Sequence, residues 1–450
     1  MYLPMQRARR APGGAGPVDA LQVRPEPSLN CFAFLWFSPV PIPAEPSYTS
    51  QDVTIIIPTI DGDGEELRET IRSCLKCEPH EIILVTIDAN LKRACEMVAA
   101  MPSTKVRVLS VSQANKRRQM CRAFPEVSTK ITLLADDDVI WPKDLIKWIL
   151  APFENPKMGG VGTCQRLRRS DSPNHWEFLA AAYLERRNFD IAACTYMDGG
   201  LPCLSGRTVA YRTHVLQDPN FTYGFTHETW GEFLLNADDD NFITRWMLSH
   251  GWETYVQYHK ACEVQTTLEN NPRFIRQCLR WSRSNWRSNF KTLWVERYVW
   301  RLQPWSTYAV FLTTFTQLAL LWDALITYFL WAALSHHSTK TQWTCFSLYG
   351  AVWFTARWIK LCGHWIRYPG DLIYLPLSIL FGYAHGAIKI WAFLTLNASQ
   401  REAAKPPAKP RTAADADMYS TFRQTTWGTR EGADTDDAYP RMILLPAYRS

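Results

Sequence analysis

The letters Ala-Asp-Asp-Asp occur twice in this chain, at 135–138 and at 237–240. The first triplet closes the apolar run Lys130–Ala135 and is followed by Val139, Ile140, Trp141 and Pro142. Acids at i and i+2 on a strand end point the same way. Asp136 and Asp138 are therefore candidates to hold a hard divalent cation, Mg2+ or Mn2+, with a diphosphate supplying further oxygens. An EF-hand loop is excluded, because Ile140 and Trp141 stand where that loop needs a ligand and a glycine. The plain alternative is a solvated acidic turn.

The second triplet has different flanks. Phe242, Ile243, Trp246 and Met247 follow it at helical spacing, so Asp238, Asp239 and Asp240 stand at a helix start. Acids there are favoured by the helix dipole, and capping alone would explain them. A carboxylate so placed could also act as a general base facing a metal site. Duplication would have repeated the flanks too, so the two triplets read as two sites with different work. A third constellation is Gln277, Arg280 and Trp281, a Q-x-x-R-W, inside a stretch from Arg273 to Arg301 where basic residues alternate with Trp281, Trp286, Trp294 and Trp300. That composition suits a helix lying in a membrane interface.

These residues need a scaffold. From Asp52 onward, apolar strands (DVTIIIP, HEIILVTI, KVRVLSV, KITLLA) alternate with helical segments such as GEELRETIRSCLKC. The expectation is an α/β fold: a mainly parallel sheet with helices on both faces and ligands at the carboxyl ends of the strands, where Asp61, Asp88 and Asp136 fall. Residues 1–50 read as an irregular lead with one short apolar patch, Cys31–Phe37, suited to a surface anchor. Residues 51–272 form the catalytic domain and 273–304 basic-aromatic interfacial helices. Residues 305–397 form a membrane region with candidate helices at Trp305–Leu334, Cys345–Gly363 and Asp371–Asn397. Residues 398–450 read as a flexible tail.

Bulk numbers bound the class. The 450 residues allow two or three domains. At 47% hydrophobic and 20% charged, the chain can bury a large core. A net charge of +6 is too small to argue for nucleic acid. The 12 cysteines hold a single CxxC, Cys74 and Cys77, and read as reduced thiols facing the cytosol.

The order D-x-D, second acid site, Q-x-x-R-W and then apolar segments resembles the processive family-2 glycosyltransferases: the hyaluronan, cellulose and chitin synthases and the related fungal polysaccharide synthases. The resemblance implies a GT-A-like domain and an inverting transfer from a UDP-sugar to a growing polysaccharide of the cell wall or exterior. On this chain it implies that Asp61, Asp88 and Lys116, with Arg117 or Arg118 beside it, contact the nucleotide. Asn115 stands where the family has glycine. Asp136 and Asp138 would hold metal and diphosphate, and Ser205 and Gly206 would line the acceptor site. Counted back from Arg245, Asp239 is the general base, with Asp238 before it and Asp240 an extra acid. Gln277, Arg280 and Trp281 would close over diphosphate and acceptor. Trp427, in Thr426–Arg430, resembles a mobile W-G-T gate.

A gate at Trp427 over a cytosolic site needs an even number of crossings after Trp305. Two crossings and one interfacial segment, Asp371–Leu396, are therefore expected, in a multi-pass protein of the plasma membrane with a bilayer partner and a homo-oligomer as an option. The rival readings are transfer of one sugar to a lipid or short acceptor, a hydrolase with paired carboxylates, and an inert membrane scaffold.

Overall fold

A computed structural model describes residues 26–316 and 318–397. The chain forms β1 (Val53–Pro58), β2 (Glu81–Ile87), β3 (Val106–Val111), β4 (Ile131–Ala135), β5 (Val139–Ile140), β6 (Met158–Leu167), β7 (Thr208–Arg212), β8 (Thr229–Trp230), β9 (Phe233–Leu234), β10 (Glu253–Gln257) and β11 (Glu263–Thr266). Among the described residues, nine strands make one sheet. Its order is β3-β2-β1-β4-β7-β6-β11-β5, with β10 also paired to β6, and β8 and β9 form a separate ribbon. Strand β1 shows why the apolar runs are continuous. Ile55 and Ile57 face one core with Leu67 and Ile71, while Ile56 faces the other with Met120 and Phe124, so every position is buried.

The expected mainly parallel sheet is corrected here: the sheet is mixed. Strands β3, β2, β1 and β4 are parallel. Strand β7 runs antiparallel to both β4 and β6, and β5 runs antiparallel to β11. The βα alternation was legible only as far as β4. Beyond it the chain leaves β6, crosses through the long helix His175–Asp198, and enters β7 from the opposite end. Thr208 thereby pairs with Ala135, which sets residues 205–207 against the carboxyl end of β4.

The N-terminal patch is helical rather than irregular. Glu26–Trp36 is an α-helix with Asn30 and Ala33 buried, and Phe34 stacks on Phe189 with ring centroids 4.7 Å apart. The helix Arg273–Phe290 is also not a purely interfacial element. Phe274, Cys278, Trp286 and Arg287 are buried, and it packs along the helix Leu375–Leu394 and against the catalytic domain.

In the region after Trp305, Pro369–Leu394 is the one helix among the described residues long and apolar enough by itself to cross a bilayer. The segments Pro304–Thr316 and Ala319–Leu334 qualify only as a pair bent by 85°. Both ends of Pro369–Leu394 nevertheless reach the catalytic domain. At its start Asp371 is held by Arg169 Nη1 at 2.8 Å. Just past its end Arg283 Nη2 donates to Thr395 at 3.0 Å, and Trp230 Nε1 donates to Asn397 at 3.0 Å. A helix of 26 residues is roughly 39 Å long, and one tied to the same domain at both ends lies along it. The helices Ala319–Leu334 and Thr339–Trp358 form a hairpin whose side chains are mostly exposed, joined near its open end, away from the turn, by an ion pair between Asp323 and Arg357.

Candidate active site

Strand β4 leads into the turn that carries the first triplet, and that turn sorts the three acids. The Asp136 N–H donates to Arg207 O at 3.0 Å. Asp137 turns back into the fold, where its carboxylate accepts from Thr59 Oγ1 at 2.6 Å. Asp138 accepts from Thr267 Oγ1 at 2.9 Å. Asp136 and Asp138 thus line one cleft, as the i, i+2 spacing requires. Burial, and then the Asp136 and Asp137 charges, push the Asp138 carboxyl up to about 7. A buried carboxylate and a half-buried one that repel one another, with room beside them for diphosphate oxygens, fit a divalent cation.

Lys116 opens the helix Lys116–Ala123 and joins the two triplets. Its amine lies 2.7 Å from Asp136 Oδ1 and 3.2 Å from Asp239 Oδ2. Burial would lower this amine, but the Asp136 and Asp239 charges outweigh it and hold it protonated, above its ordinary value. Asn115 caps the helix by accepting from Arg118 N at 3.0 Å, so the residue that replaces glycine has a structural task. Arg117 lines neither lobe of the cleft. It is buried, donating to Glu228 at 2.7 Å and to Phe225 O at 2.8 Å.

The second triplet divides its labour more sharply than its sequence shows. Asp238 caps the helix Asp239–Ser249 in the left-handed region, at φ 64°. Its carboxylate is gripped by Arg287, with Nε at 2.8 Å and Nη2 at 3.2 Å. Burial alone would raise Asp238, but the Arg287 charge and hydrogen bonds, helped by Ser284, keep it below the usual carboxylate range. Asp239 faces Lys116. Asp240 is raised by burial and then by the Asp239 charge. Gly206 lies against this pair: a Cβ there would come within 3.3 Å of Lys116 Nζ and 3.4 Å of Asp239 Oδ2, and the lysine would have to give by a few tenths of an ångström.

Gln277, Arg280 and Trp281 share one face of their helix by the i, i+3, i+4 rule. Gln277 lines a larger lobe of the cleft, about 450 Å³, and Arg280 and Trp281 line a smaller one, about 170 Å³. Trp281 stacks on Tyr183, with centroids 5.1 Å apart. Asp136 and Arg207 border both lobes.

The structure therefore brings Lys116, Asp136, Asp138, Ser205, Gly206, Asp238, Asp239, Gln277, Arg280 and Trp281 to one cleft. Asp61 and Asp88 lie at the carboxyl ends of β1 and β2, Asp88 exposed, and line neither lobe. Trp427 falls outside the described residues. Sequence reasoning missed Arg207, Tyr183 and Arg187. Arg207 was signalled by its place directly after Ser205-Gly206. Its guanidinium donates to Gln165 Oε1 at 2.9 Å and sits 5.4 Å from the Trp281 ring centroid. Acids and bases of the smaller lobe nearly balance. Arg287 answers Asp238, and Lys116, Arg187, Arg207 and Arg280 stand among Asp136, Asp239 and Asp240.

Residues 50–284 match the family described as "Glycosyltransferase like family 2". A type 2 glycosyltransferase of Zymoseptoria tritici is 53% identical over 430 residues, 94% of this chain and 84% of that one. The NDP-glycosyltransferase ltbB of Aspergillus luteorubrus is 30% identical, over 80% of this chain and 90% of its own. Among solved structures, the mannosyltransferase PcManGT from Pyrobaculum calidifontis, in complex with GDP-Man and Mn2+, shares the fold. Its TM-score is 0.50 at 13% identity, covering 82% of this chain and 94% of that one. With the two acid triplets and the Q-x-x-R-W helix on one cleft, this chain belongs to glycosyltransferase family 2 and is a glycosyltransferase working on a sugar-nucleotide donor.

Proposed function

We propose that the chain is an inverting, membrane-bound synthase that adds sugars from a UDP-sugar to a growing polysaccharide. The observation that carries this reading is Lys116 spanning the two triplets, 2.7 Å from Asp136 and 3.2 Å from Asp239. It sets a donor-holding carboxylate and a candidate base on either side of one cation.

Asp136 and Asp138 would hold Mg2+ or Mn2+, which when bound offsets the charge of the departing diphosphate. Lys116 and Arg280 add positive charge where that negative charge grows. Asp239 takes the proton of the attacking acceptor hydroxyl. With Asp239 acting as base on the acceptor hydroxyl itself, that hydroxyl attacks from the face opposite the leaving group and inverts the anomeric carbon. Trp281, backed by Tyr183, gives the acceptor ring an apolar platform. Arg287 holds Asp238, which positions the start of the Asp239 helix.

The membrane mode follows from exposed apolar surface. The hairpin Ala319–Trp358 presents Leu320, Phe329, Trp331, Leu348 and Phe354 to its surroundings, and the polar link of Asp323 to Arg357 lies between its helices. In this arrangement the hairpin makes two crossings, its first helix reaching spanning length only together with the bent segment Pro304–Thr316, and an interfacial helix at Pro369–Leu394 keeps both its ends beside a cytosolic catalytic domain.

The test is a panel of radiolabelled UDP-sugars on purified membranes with Mn2+ or Mg2+, products sized on gels. Long, metal-dependent product that disappears with EDTA is expected. One added sugar per acceptor would refute processivity, and no product from any donor with folded protein would refute the synthase reading.

A further inference from the structure

Lys116 is flanked by two side chains that have no part in the steps above, and neither lines a lobe of the cleft. Yet three consecutive residues meet the segment that carries the second triplet. Asn115 Nδ2 donates to Asn236 Oδ1 at 2.9 Å, Lys116 faces Asp239 Oδ2 at 3.2 Å, and Arg117 Nη2 donates to Ala237 O at 2.6 Å. Asn236 and Ala237 stand directly ahead of the triplet. The link from Asn115 is one that a glycine at that position could not make.

Arg117 holds more than one carbonyl. Its guanidinium also donates to Phe225 O at 2.8 Å and to Glu228 at 2.7 Å. Glu228 in turn accepts from Arg245 on the helix Asp239–Ser249, and the Phe242 ring of that helix lies 5.5 Å from the Arg117 guanidinium. Leu235 N donates to Glu228 O at 2.8 Å, closing the loop between them. Arg117 therefore grips both ends of the loop 228–237 and, through Glu228, the helix that follows it. The opposite side of this clamp is fixed. Gln119, buried on the helix Lys116–Ala123, donates to Thr59 O at 2.7 Å and Val85 O at 2.8 Å, which pins that helix to β1 and β2. Arg212 is a buried arginine of the plain structural kind. It donates to the carbonyls of Met158, Phe153 and Asn155 and bonds to neither triplet.

We propose that Asn115 and Arg117 are positioning residues for transfer: they carry the fixed frame of β1 and β2 across to residues 236 and 237, and so set where Asp239 stands relative to Lys116 and the donor. The inference rests on the reading of Asp239 as the base. A reacting group works only when the residues behind it hold it in place, and a misplacement of about 1 Å costs about a hundredfold in rate. Losing one arm of the clamp should cost part of that and leave the donor side intact, because Gln119 still holds the helix of Lys116.

The experiment compares full-length protein in detergent carrying Asn115→Ser, Arg117→Met, Asp239→Asn or Arg212→Met. Serine keeps the helix cap but is too short to reach Asn236. One readout is kcat with the UDP-sugar that gives product in the panel above, beside the Kd of UDP with Mn2+. The other is amide hydrogen exchange over residues 228–241. Arg117→Met should lower kcat about tenfold or more and Asn115→Ser about threefold or more, with the Kd of UDP unchanged. Both should speed exchange over 228–241 and leave β4 as it was. Arg212→Met, compared at matched loss of urea stability, should keep its kcat per folded molecule. An unchanged kcat in both clamp variants overturns the proposal. So does a UDP Kd that rises in step with the fall in kcat, which would put these residues on the donor side, or an equal fall in Arg212→Met, which would make the effect one of stability. If Arg117→Met does not fold, Asn115→Ser decides by the same criteria. If Asp239→Asn transfers at the wild-type rate, or no donor gives product, the base or synthase reading falls on its own account. The exchange result then still decides whether the clamp holds the triplet, and unchanged exchange overturns it.

Discussion

Arg287→Met isolates what the buried pair with Asp238 contributes. The two side chains are 2% and 4% exposed, and two charge-assisted hydrogen bonds join them. Methionine keeps most of the apolar stem and removes the charge, leaving Asp238 buried with its compensation gone. Breaking a buried ion pair on one side costs about 3–5 kcal/mol. At about 1.4 kcal/mol per decade, the folding equilibrium moves by two to three and a half orders of magnitude. The pH dependence carries a sign. In the wild type the folded Asp238 carboxyl is depressed, so its contribution is full above the unfolded value of about 3.9 and is lost as pH falls through the folded one. In the variant burial is opposed only by the Ser284 hydrogen bond and the more distant Arg117 charge, so the same carboxyl is raised relative to the wild type. It protonates in mild acid, and the deficit is largest at pH 7 and shrinks toward pH 4. The assay is urea unfolding of the full chain followed by far-UV ellipticity at several pH values, with Asp238→Asn/Arg287→Met expected to recover more than half of the loss. A loss below about 1 kcal/mol at pH 7, or one that stays constant with pH, would refute the account of Asp238 as a positioned, paired carboxylate.

Two further outcomes are expected. Asp239→Asn should lower the transfer rate by about a hundredfold or more while UDP still binds, whereas Asp240→Asn should stay within about tenfold because its carboxyl is already raised by burial and Asp239; steady-state kinetics with UDP binding measured in parallel separates them, and equal losses would sink the choice of Asp239. A cysteine at His336, in the turn of the exposed hairpin, should react with an impermeant maleimide added outside sealed cells, while Asn397 in its Asn-Ala-Ser sequon stays without glycan because it contacts Trp230 of the catalytic domain; a glycan on Asn397 would overturn the two-crossing arrangement.

The local parts of this site were legible because they follow short-range periodicity. Asp136 and Asp138 were read as facing together from the i, i+2 spacing of a strand end; they lie in the turn just past β4, and the turn keeps that relation while Asp137 points away. A helix repeats every 3.6, so Gln277, Arg280 and Trp281 had to share a face. Apolar runs announced β1 to β4, since the central strands are covered on both faces and carry few polar positions.

The rest depends on partners far along the chain, and no local pattern carries that information. Lys116 reaches Asp239 only because the fold closes a long loop, and Arg117 beside it is consumed by Glu228. Arg207 borders both lobes because β7 enters antiparallel, a direction set by the return from the helix His175–Asp198 rather than by the residues of the strand. The Arg273–Phe290 helix had the composition of a membrane-surface helix, yet Arg287 was drawn inward by a buried carboxylate. The sequence by itself determined that two acidic sites of different kind exist and what chemistry they suit. Only the tertiary structure decided that within the second triplet Asp238 is held and Asp239 faces the cleft, because a carboxylate's role is set by which charge meets it, and that charge lies 49 residues away at Arg287.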